Sequence, residues 1–262
     1  MMASRINKAV QDPRAAFRYV RGLVDPRSES DVKLAHDAGD YWSASRDIPV
    51  VKDMSHWRGE GRWDADTWTA IGERHVALFE SLPPSSLDQP ITRVLEWGPG
   101  GGSNVLAFSH RFPIETFYGV DISAPNLEEC ARQCASYGFS GFRPIEIDPE
   151  VPEAVGHRVD VPLDLFLSTA VYQHFPGKEY GRRVTCVASD LLRPGGLALI
   201  QTRYPEGSRR FRAKHRDYKS HAITFTAYGV AEFWALLIDA GLVPMAVHLW
   251  PETNYAFYIA MK

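Results

Sequence analysis

The chain of 262 residues is 45% hydrophobic and 23% charged, which is typical of a globular protein with one large core and an appendage. Its formal net charge of -3 excludes a general electrostatic attraction to nucleic acid or to anionic membranes. Long apolar runs are absent and basic residues interrupt the N-terminal segment, so we expect a cytoplasmic protein without a membrane helix or leader. Cys130, Cys134 and Cys186 are too scattered for a disulfide framework or a zinc knuckle.

The first third of the chain predicts a helical and irregular cap. Asp12-Pro13 is typical of a helix start, and a second helix begins near Asp66 and ends at Pro83-Pro84. Between them, residues 37–63 mix glycine, proline and aromatic residues without a helical or strand period, which predicts irregular covering structure. We therefore predict a cap over residues 1–88 that covers an acceptor site.

From residue 91 onward, short β-rich runs alternate with helical stretches, as a parallel sheet with crossover helices requires. Predicted strands cover 91–97, 116–122, 142–147, 163–170, 196–203, 243–250 and 254–261, with helices from 104, over 124–137, over 180–192 and over 227–240. Only Pro251, Glu252 and Thr253 separate the last two strands. This connection is too short for a crossover, so these strands must form an antiparallel hairpin.

The segment with the clearest chemical meaning is a glycine-rich turn between a strand and a helix. Gly98, Gly100 and Gly102 follow an apolar strand, and glycines there let backbone N–H groups approach a ligand at a helix N-terminus. Glu96 closes the strand, where a carboxylate can accept from the amino group of an amino-acid-like ligand. Asp121 ends the next strand, where a carboxylate can bind two ribose hydroxyls.

With Glu96, Gly98, Gly100 and Gly102 in this order, the sequence resembles the class I S-adenosylmethionine-dependent methyltransferases over roughly residues 91 to 262. The resemblance implies an α/β fold: a Rossmann-like, seven-stranded, mostly parallel sheet with an antiparallel last strand, in a domain over residues 89–262. It also implies S-adenosyl-L-methionine as cofactor and S-adenosyl-L-homocysteine as product. The implied cofactor-binding residues are Glu96, Gly98, Gly100, Gly102, Asp121, Ile122, Asp148, Ser168 and Thr169, with Glu146 an alternative to Asp148.

Three residues are candidates for catalysis. If the methyl acceptor is a hydroxyl, its proton must leave as the new bond forms, and an imidazole is the usual base. His174, after the fourth strand, is the first candidate, and capping of the next helix is its structural alternative. Tyr172 is placed either to touch cofactor or acceptor or to pack. His56, in the irregular cap segment, is the second candidate base.

Two further clusters bear on the acceptor. Trp42, Trp57, Trp63 and Trp68 either stack on an acceptor or anchor the cap, and Arg58 and Arg62 among them either bind an anion or face solvent. A basic stretch comprises Arg209, Arg210, Arg212, Lys214, Arg216 and Lys219. It is interpreted as a solvated loop, as a site for a phosphate or carboxylate of the acceptor, or as a nucleic-acid contact.

The sequence favours O-methylation of a small molecule, such as a sugar or natural-product hydroxyl. N-methylation of an amine, a nicotinamide-dependent oxidoreductase and a non-catalytic cofactor-binding regulator are the alternatives. The dinucleotide fingerprint expects glycine or alanine at the position of Ser103, which disfavours the oxidoreductase. The expected partners are an anionic or glycosidic acceptor and a second copy of the chain. Nucleic acid, membrane and a metal ion are not expected, although Asp121, Asp148 and Asp164 offer carboxylates.

Overall fold

The computed structural model describes residues 29–81, 89–159, 162–207, 211, 217–222 and 224–262. Its strands are β1 (Arg93–Trp97), β2 (Thr116–Asp121), β3 (Phe142–Glu146), β4 (Leu163–Ser168), β5 (Leu192–Arg203), β6 (Val243–Trp250) and β7 (Tyr255–Met261). They form one seven-stranded sheet in the order β3-β2-β1-β4-β5-β7-β6. Strands β1 to β5 pair in parallel, and β7 runs antiparallel to both β5 and β6. The predicted fold class and the terminal hairpin are confirmed.

Helices cover both faces of this sheet. Those within the described residues are α1 (Asp31–Ser43), α2 (Pro49–Met54), α3 (Ala65–Phe79), α4 (Ser103–Arg111), α5 (Ala124–Ser136), α6 (Lys178–Leu191), α7 (Tyr218–His221) and α8 (Val230–Asp239). Helices α4, α5, α6 and α8 confirm the four that the sequence predicts between strands. Side-chain N-caps mark where two of these helices begin. The Asp64 carboxylate accepts from the Thr67 N–H at the start of α3, and the Ser123 hydroxyl accepts from the Asn126 N–H at the start of α5.

The core lies on both faces of the sheet because successive strand side chains point to opposite faces. In β4, Leu165 belongs to the hydrophobic cluster under α3, α4 and α5, whereas its neighbour Phe166 belongs to the cluster under α6 and α8. Phe257 and Tyr258 in β7 divide in the same way. Cys130 and Cys134 of α5 are buried in the first of these clusters, as packing residues.

The prediction of irregular structure over residues 37–63 is wrong in part. Helix α1 continues to Ser43, and its buried residues Leu34, Ala35 and Ala38 recur at helical spacing across the predicted boundary. Division of the segment at residue 37 concealed this period. Pro49 lies at the first turn of α2, where a proline is tolerated because its missing N–H has no helical partner there.

The described part of the cap packs directly on the sheet domain. Trp68, Ile71 and Phe79 of α3 share one hydrophobic cluster with residues of β1, β4 and β7. The expected boundary at residue 88 stays a prediction, and the predicted helix near Asp12 and the stop at Pro83-Pro84 lie outside the described residues. No helix among the described residues has the length and apolarity needed to cross a membrane.

Candidate active site

A cleft opens at the carboxyl ends of β1, β2 and β4, beside the point where the strand order reverses between β1 and β4. Ligands of open α/β sheets bind at such a switch point. The cleft contains about 890 Å³ of space, a volume that includes the open solvent at its mouth. Residues from the sheet domain form its floor, and residues of α1 and of the segment after α2 form its roof.

The glycine-rich turn forms one wall of the cleft and contacts the cap. The Gly98 N–H donates to the Val120 carbonyl at 2.7 Å, which ties the turn to β2. At Gly100, φ is +51°, and a Cβ would overlap the Ser55 carbonyl oxygen of the cap. Gly102, with φ of +88°, is the N-cap of α4. Glycine is therefore required for the turn itself and for the close approach of the cap.

Glu96 is a buried carboxylate at the floor of the cleft, with 1% of its surface exposed. Its Oε1 accepts from Asn104 Nδ2 at 2.5 Å, while its Oε2 accepts no hydrogen bond from any residue that the structure describes. Burial raises the pKa of Glu96 to about 8, against the lowering effect of the Asn104 amide. A cationic ligand group at Oε2 would favour the ionised form.

Asp121 is the second buried carboxylate of the cleft, at the end of β2. Its Oδ1 accepts from the Ser123 N–H at 2.9 Å, and Asn126 Nδ2 lies 3.5 Å from Oδ2. Burial raises the pKa of Asp121 to about 7, although these hydrogen bonds lower it. Two carboxylates thus lie in one cleft with elevated pKa values, an arrangement that suits a ligand with both cationic and hydroxyl groups.

The structure brings together most of the residues predicted to bind a cofactor. Those lining the cleft are Glu96, Gly98, Gly100, Asp121, Ile122 and Thr169. Ser168 is completely buried and donates to the Trp97 carbonyl at 3.2 Å, behind the cleft wall. Asp148 is exposed, and its Oδ1 accepts from the Glu150 N–H at 2.8 Å. The structure does not place Ser168 or Asp148 at the cleft, whereas Pro149 lines it.

His174 lines the opposite side of the cleft, in the short turn after β4. Arg203 Nε donates to Gln173 Oε1 at 2.5 Å, which directs the Gln173 amide nitrogen to His174 Nε2 at 3.0 Å. An amide nitrogen is a donor, so Nε2 accepts, and Nδ1 carries the proton of the neutral ring. The ring of Trp42 contacts the imidazole edge-on, with centroids 5.0 Å apart. A base function for His174 stays a prediction.

His56 also lines the cleft, in the cap segment over the glycine turn. Its φ is +57°, and its ring packs on Trp63 at a centroid distance of 4.3 Å. Burial, with smaller effects from Arg62 and His75, lowers the pKa of His56 to about 3. Such an imidazole is neutral at pH 7 and accepts a proton weakly. The base role predicted for His56 finds no support in this environment.

Comparisons with known proteins agree with this geometry. A family model described as a methyltransferase domain matches residues 95–200. Trans-aconitate 2-methyltransferase of Deinococcus radiodurans is 25% identical over 173 residues, which cover 64% of this chain and 61% of that protein. The match therefore spans less than two thirds of that relative's length.

Among solved structures, magnesium protoporphyrin IX methyltransferase of Synechocystis PCC 6803, with bound S-adenosylmethionine, superposes with a TM-score of 0.60 at 14% identity. The superposition covers 91% of this chain and 100% of that one. An O-methyltransferase family protein of Burkholderia thailandensis gives a TM-score of 0.56 at 17% identity, covering 75% of this chain and 57% of that one. Both structures share the fold of this chain.

Residues 95–200 therefore match a methyltransferase domain, and the described residues share the fold of S-adenosylmethionine-dependent methyltransferases. The Synechocystis protein was crystallised with S-adenosylmethionine and, in a second structure, with S-adenosylhomocysteine. The sheet order, with β7 inserted antiparallel between β5 and β6, also differs from the 3-2-1-4-5-6 order of dinucleotide dehydrogenases.

Tyr172 does not line the cleft, and the structure supports the packing alternative for this residue. Its side chain is completely buried and packs against Phe175, Tyr228 and Phe233. Its hydroxyl lies 2.9 Å from Thr185 Oγ1, and burial raises the pKa of Tyr172 far above its ordinary value. The turn after β4 directs this ring into the core under α6 and α8 and turns His174, two residues later, to the cleft.

Sequence analysis missed two polar residues behind the glycine-rich turn. Asn104 donates to Glu96, and its Nδ2 also lies 2.9 Å from Thr169 Oγ1. His75 of α3 reaches Asn104 Oδ1 through Nδ1 at 2.7 Å. The sequence did contain one signal: His75 lies within the apolar stripe of a helix. A buried histidine requires a hydrogen-bond partner, so this position indicates a polar contact in the interior.

Two of the cap tryptophans, Trp42 and Trp57, hydrogen-bond to residues outside the cap, and Trp68 packs on the core of the sheet domain. Trp57 Nε1 donates to Asn126 Oδ1 at 2.9 Å, and Trp68 Nε1 donates to the His56 carbonyl at 2.9 Å. Trp42 both lines the cleft and donates to the Tyr218 hydroxyl at 3.0 Å. Arg58 lies over the rings of Trp68 and Tyr137, and Arg62 over Trp63, which supports packing of both guanidinium groups.

Asp164, the third carboxylate considered for a metal, lies apart from the cleft. Asp164, near the start of β4, accepts from Arg193 Nε at 2.7 Å and from the Thr92 N–H, at the opposite end of the strand from the cleft. The described residues contain no cluster of three or more metal-binding side chains. Of the basic stretch, Lys219 is exposed, and the arginines at 209, 210, 212 and 216 and Lys214 lie outside the described residues.

Proposed function

We propose that this protein transfers the methyl group of S-adenosylmethionine to an oxygen of a small molecule. The observation that carries the proposal is the Glu96 Oε2 atom, a buried carboxylate oxygen that accepts no hydrogen bond from the described residues, in a cleft beside Asp121. A buried carboxylate without a partner is costly. A ligand that brings a cationic amino group to Glu96 removes this cost.

The residues of the cleft fit this cofactor. Glu96 would bind its amino group, Asp121 its ribose hydroxyls, and the backbone of the turn from Gly98 to Gly102 its methionine portion. When bound, S-adenosylmethionine would supply an electrophilic methyl group on a sulfonium, with S-adenosylhomocysteine as the leaving group. Asp148 would have to move to reach a ligand here, since its carboxylate caps its own turn. We therefore assign the adenine side to backbone and apolar contacts near Ile122 and Pro149.

The acceptor side of the cleft supports an aromatic or otherwise largely apolar small molecule. Trp42, Phe175 and Tyr218 line it, and their rings exclude water from the reacting groups. The two relatives are named for trans-aconitate and magnesium protoporphyrin IX, which are both small molecules. No lysine or arginine lines the described part of the cleft, so recognition of an anionic acceptor would depend on the basic stretch around residues 209–216.

In this mechanism, the protein positions donor and acceptor, and His174 takes the acceptor proton. The amide of Gln173 occupies His174 Nε2. An acceptor hydroxyl must therefore replace that amide at Nε2 for the imidazole to act as base. An amine acceptor needs no such base, which separates O-methylation from the alternative N-methylation. We also propose that the cap over residues 1–88 closes the acceptor site and that the protein acts in the cytoplasm.

Calorimetry tests the cofactor assignment with S-adenosylmethionine, S-adenosylhomocysteine and NAD. We expect the first two to bind and NAD not to bind, and Glu96→Gln and Asp121→Asn to weaken binding. Glu115→Gln is the matched control, because Glu115 is exposed on the surface. Binding of NAD alone, or equal affinity in all three variants, would contradict the proposal. Mass spectrometry of acceptors incubated with the enzyme then identifies a methyl-sized mass gain.

A further inference from the structure

His75 contributes a hydrogen bond to the cofactor side of the cleft from a helix of the cap. Only 7% of its surface is exposed, and its Nδ1 lies 2.7 Å from Asn104 Oδ1. Asn104 in turn contacts Glu96, so a chain of three side chains joins α3 to the carboxylate at the end of β1. His75 itself does not line the cleft.

The contacts of Asn104 determine the direction of each hydrogen bond in this chain. The amide nitrogen of Asn104 faces Glu96 in the structure, and it must do so when a bound cationic group keeps Glu96 ionised, because an ionised carboxylate can only accept. The same nitrogen lies 2.9 Å from Thr169 Oγ1. The amide oxygen then faces His75, and His75 Nδ1 must carry the ring proton. Burial lowers the pKa of His75 to about 4, so the ring is neutral at pH 7 and carries a proton on only one of its two nitrogens.

Packing holds the His75 ring in this orientation. The ring stacks on Trp250 with an interplanar angle of 17° and contacts Phe257 at a centroid distance of 5.5 Å. One turn earlier in α3, a Cβ at Gly72 would overlap the Ser103 carbonyl oxygen, so α3 is pressed directly on the first turn of α4. His75 therefore has little freedom to turn away from Asn104.

We propose that His75 is a positioning residue: its Nδ1–H fixes the Asn104 amide, which holds the Glu96 carboxylate with Oε2 available for the cationic amino group of the cofactor. Without this donor, the Asn104 oxygen is left unsatisfied in the interior, and the amide is free to flip its oxygen toward Glu96. That orientation repels the ionised carboxylate. This inference rests on the proposed function, because it assumes that Glu96 binds the cofactor.

Two variants separate the hydrogen bond from the packing. His75→Phe keeps an aromatic ring against Trp250 and Phe257 but has no donor. His75→Asn loses the ring but places an amide N–H near the position of Nδ1. We expect His75→Phe to weaken S-adenosylmethionine binding roughly tenfold by calorimetry, the typical effect of an unsatisfied buried group. It should raise KM for the cofactor with little change in kcat, and His75→Asn should retain affinity close to that of the wild type.

The outcomes distinguish this inference from the proposed function. If the wild type does not bind S-adenosylmethionine, the proposed function fails. If the wild type binds and His75→Phe binds equally well, or if both variants lose affinity equally, His75 has only a packing role. Nitrogen-15 NMR of the wild type needs no stable variant. A proton on His75 Nδ1 and none on Nε2 agrees with the inference, and the reverse tautomer overturns it.

Discussion

Glu96 couples the stability of the free protein to pH. Its pKa is raised by burial from 4.5 to about 8 in the folded state, so between these values the folded chain retains a proton that the unfolded chain releases. The free energy of unfolding therefore falls as pH rises from about 5 to about 8. Glu96→Gln cannot ionise and lacks this contribution. As pH rises from 5 to 8.5, we expect the free energy of unfolding of Glu96→Gln to increase relative to that of the wild type, on the order of a few kcal/mol.

Urea unfolding at a series of pH values measures this difference. The groups that face Glu96 are Asp121, Asn104 and Cys130, and they are present in both proteins, so the difference reports Glu96 together with its coupling to Asp121. A Glu96→Gln effect that is constant from pH 5 to pH 8.5 would show that the carboxylate is not protonated in the folded protein. The same variant should bind the cofactor poorly, because stability and function make opposite demands on this position.

His174 provides the second test at a single residue. If it removes the proton of an acceptor hydroxyl, His174→Ala should lower the single-turnover rate of methyl transfer roughly a hundredfold and leave cofactor affinity unchanged. The pH profile of transfer should lose its ascending limb, since that limb reports protonation of the base. Rapid-quench kinetics measure the rate, with calorimetry as the control for cofactor affinity. An unchanged rate in His174→Ala would remove the imidazole from the mechanism and would fit an amine acceptor.

The residues that sequence analysis found and those that it missed differ in how far apart their contacts lie along the chain. Glu96 and Gly98 belong to one local motif, and Asp121 follows at the end of the next strand, so spacing alone brings them together. The contact of His75 with Asn104 joins residues 29 positions apart on different helices, and no local pattern reports it. Tyr172 was misplaced because the direction of a side chain in a turn depends on the turn's backbone.

At the level of elements, the packing of α3 on α4 allows a sharp prediction. A Cβ at Gly72 would overlap the Ser103 carbonyl oxygen and crowd Ala107 Cβ, and both atoms belong to a helix that begins at the glycine turn. Gly72→Ala should therefore force the helices apart and destabilise the protein by about 1–3 kcal/mol, despite the better helix propensity of alanine. It should also weaken cofactor binding, because α4 carries Asn104 in its first turn.

Gly156→Ala is the matched control for this helix pair. Gly156 also has negative φ, and a Cβ there meets no atom within 4 Å. Chemical denaturation of the two variants measures their stabilities, and calorimetry measures their affinities for S-adenosylmethionine. Equal stability of the two variants would show that α3 and α4 can separate without cost. Loss of stability with full affinity would show that the helix contact does not support the cofactor side.

Element positions were predictable where a period or a connection constrained them. The strands alternate with helices at regular spacing, and the three residues between β6 and β7 leave no alternative to a hairpin. Helix α1 was missed because the segment predicted to be irregular began at residue 37, which separated Leu34 and Ala35 from Ala38. The buried face of α1 packs on α7 and the residue after it, where Leu34 and Ala38 share a small cluster with Tyr218 and Ala222. This contact joins distant parts of the chain, so the sequence does not show it.

For the whole molecule, the sequence predicted a cap and a separate sheet domain, but it could not show how strongly the two are joined. The structure places Trp68, Ile71 and Phe79 of the cap in the same hydrophobic cluster as Val94, Leu165 and Phe257 of the sheet. A shared cluster of this kind couples the two parts, because neither buries its apolar surface without the other. The described part of the cap and the sheet should therefore unfold as one unit.

Differential scanning calorimetry tests this coupling. We expect one cooperative transition in the free protein, and S-adenosylhomocysteine at a hundred times its Kd should stabilise the fold by about 2.7 kcal/mol. For a chain of this size that corresponds to an increase in Tm of roughly 5–11 °C, with the transition still single. NAD at the same concentration should leave Tm unchanged. Two transitions, with only the later one shifted by the ligand, would instead mean that the cap over residues 1–88 is an independent domain and that its contacts with the glycine turn contribute little to cofactor binding.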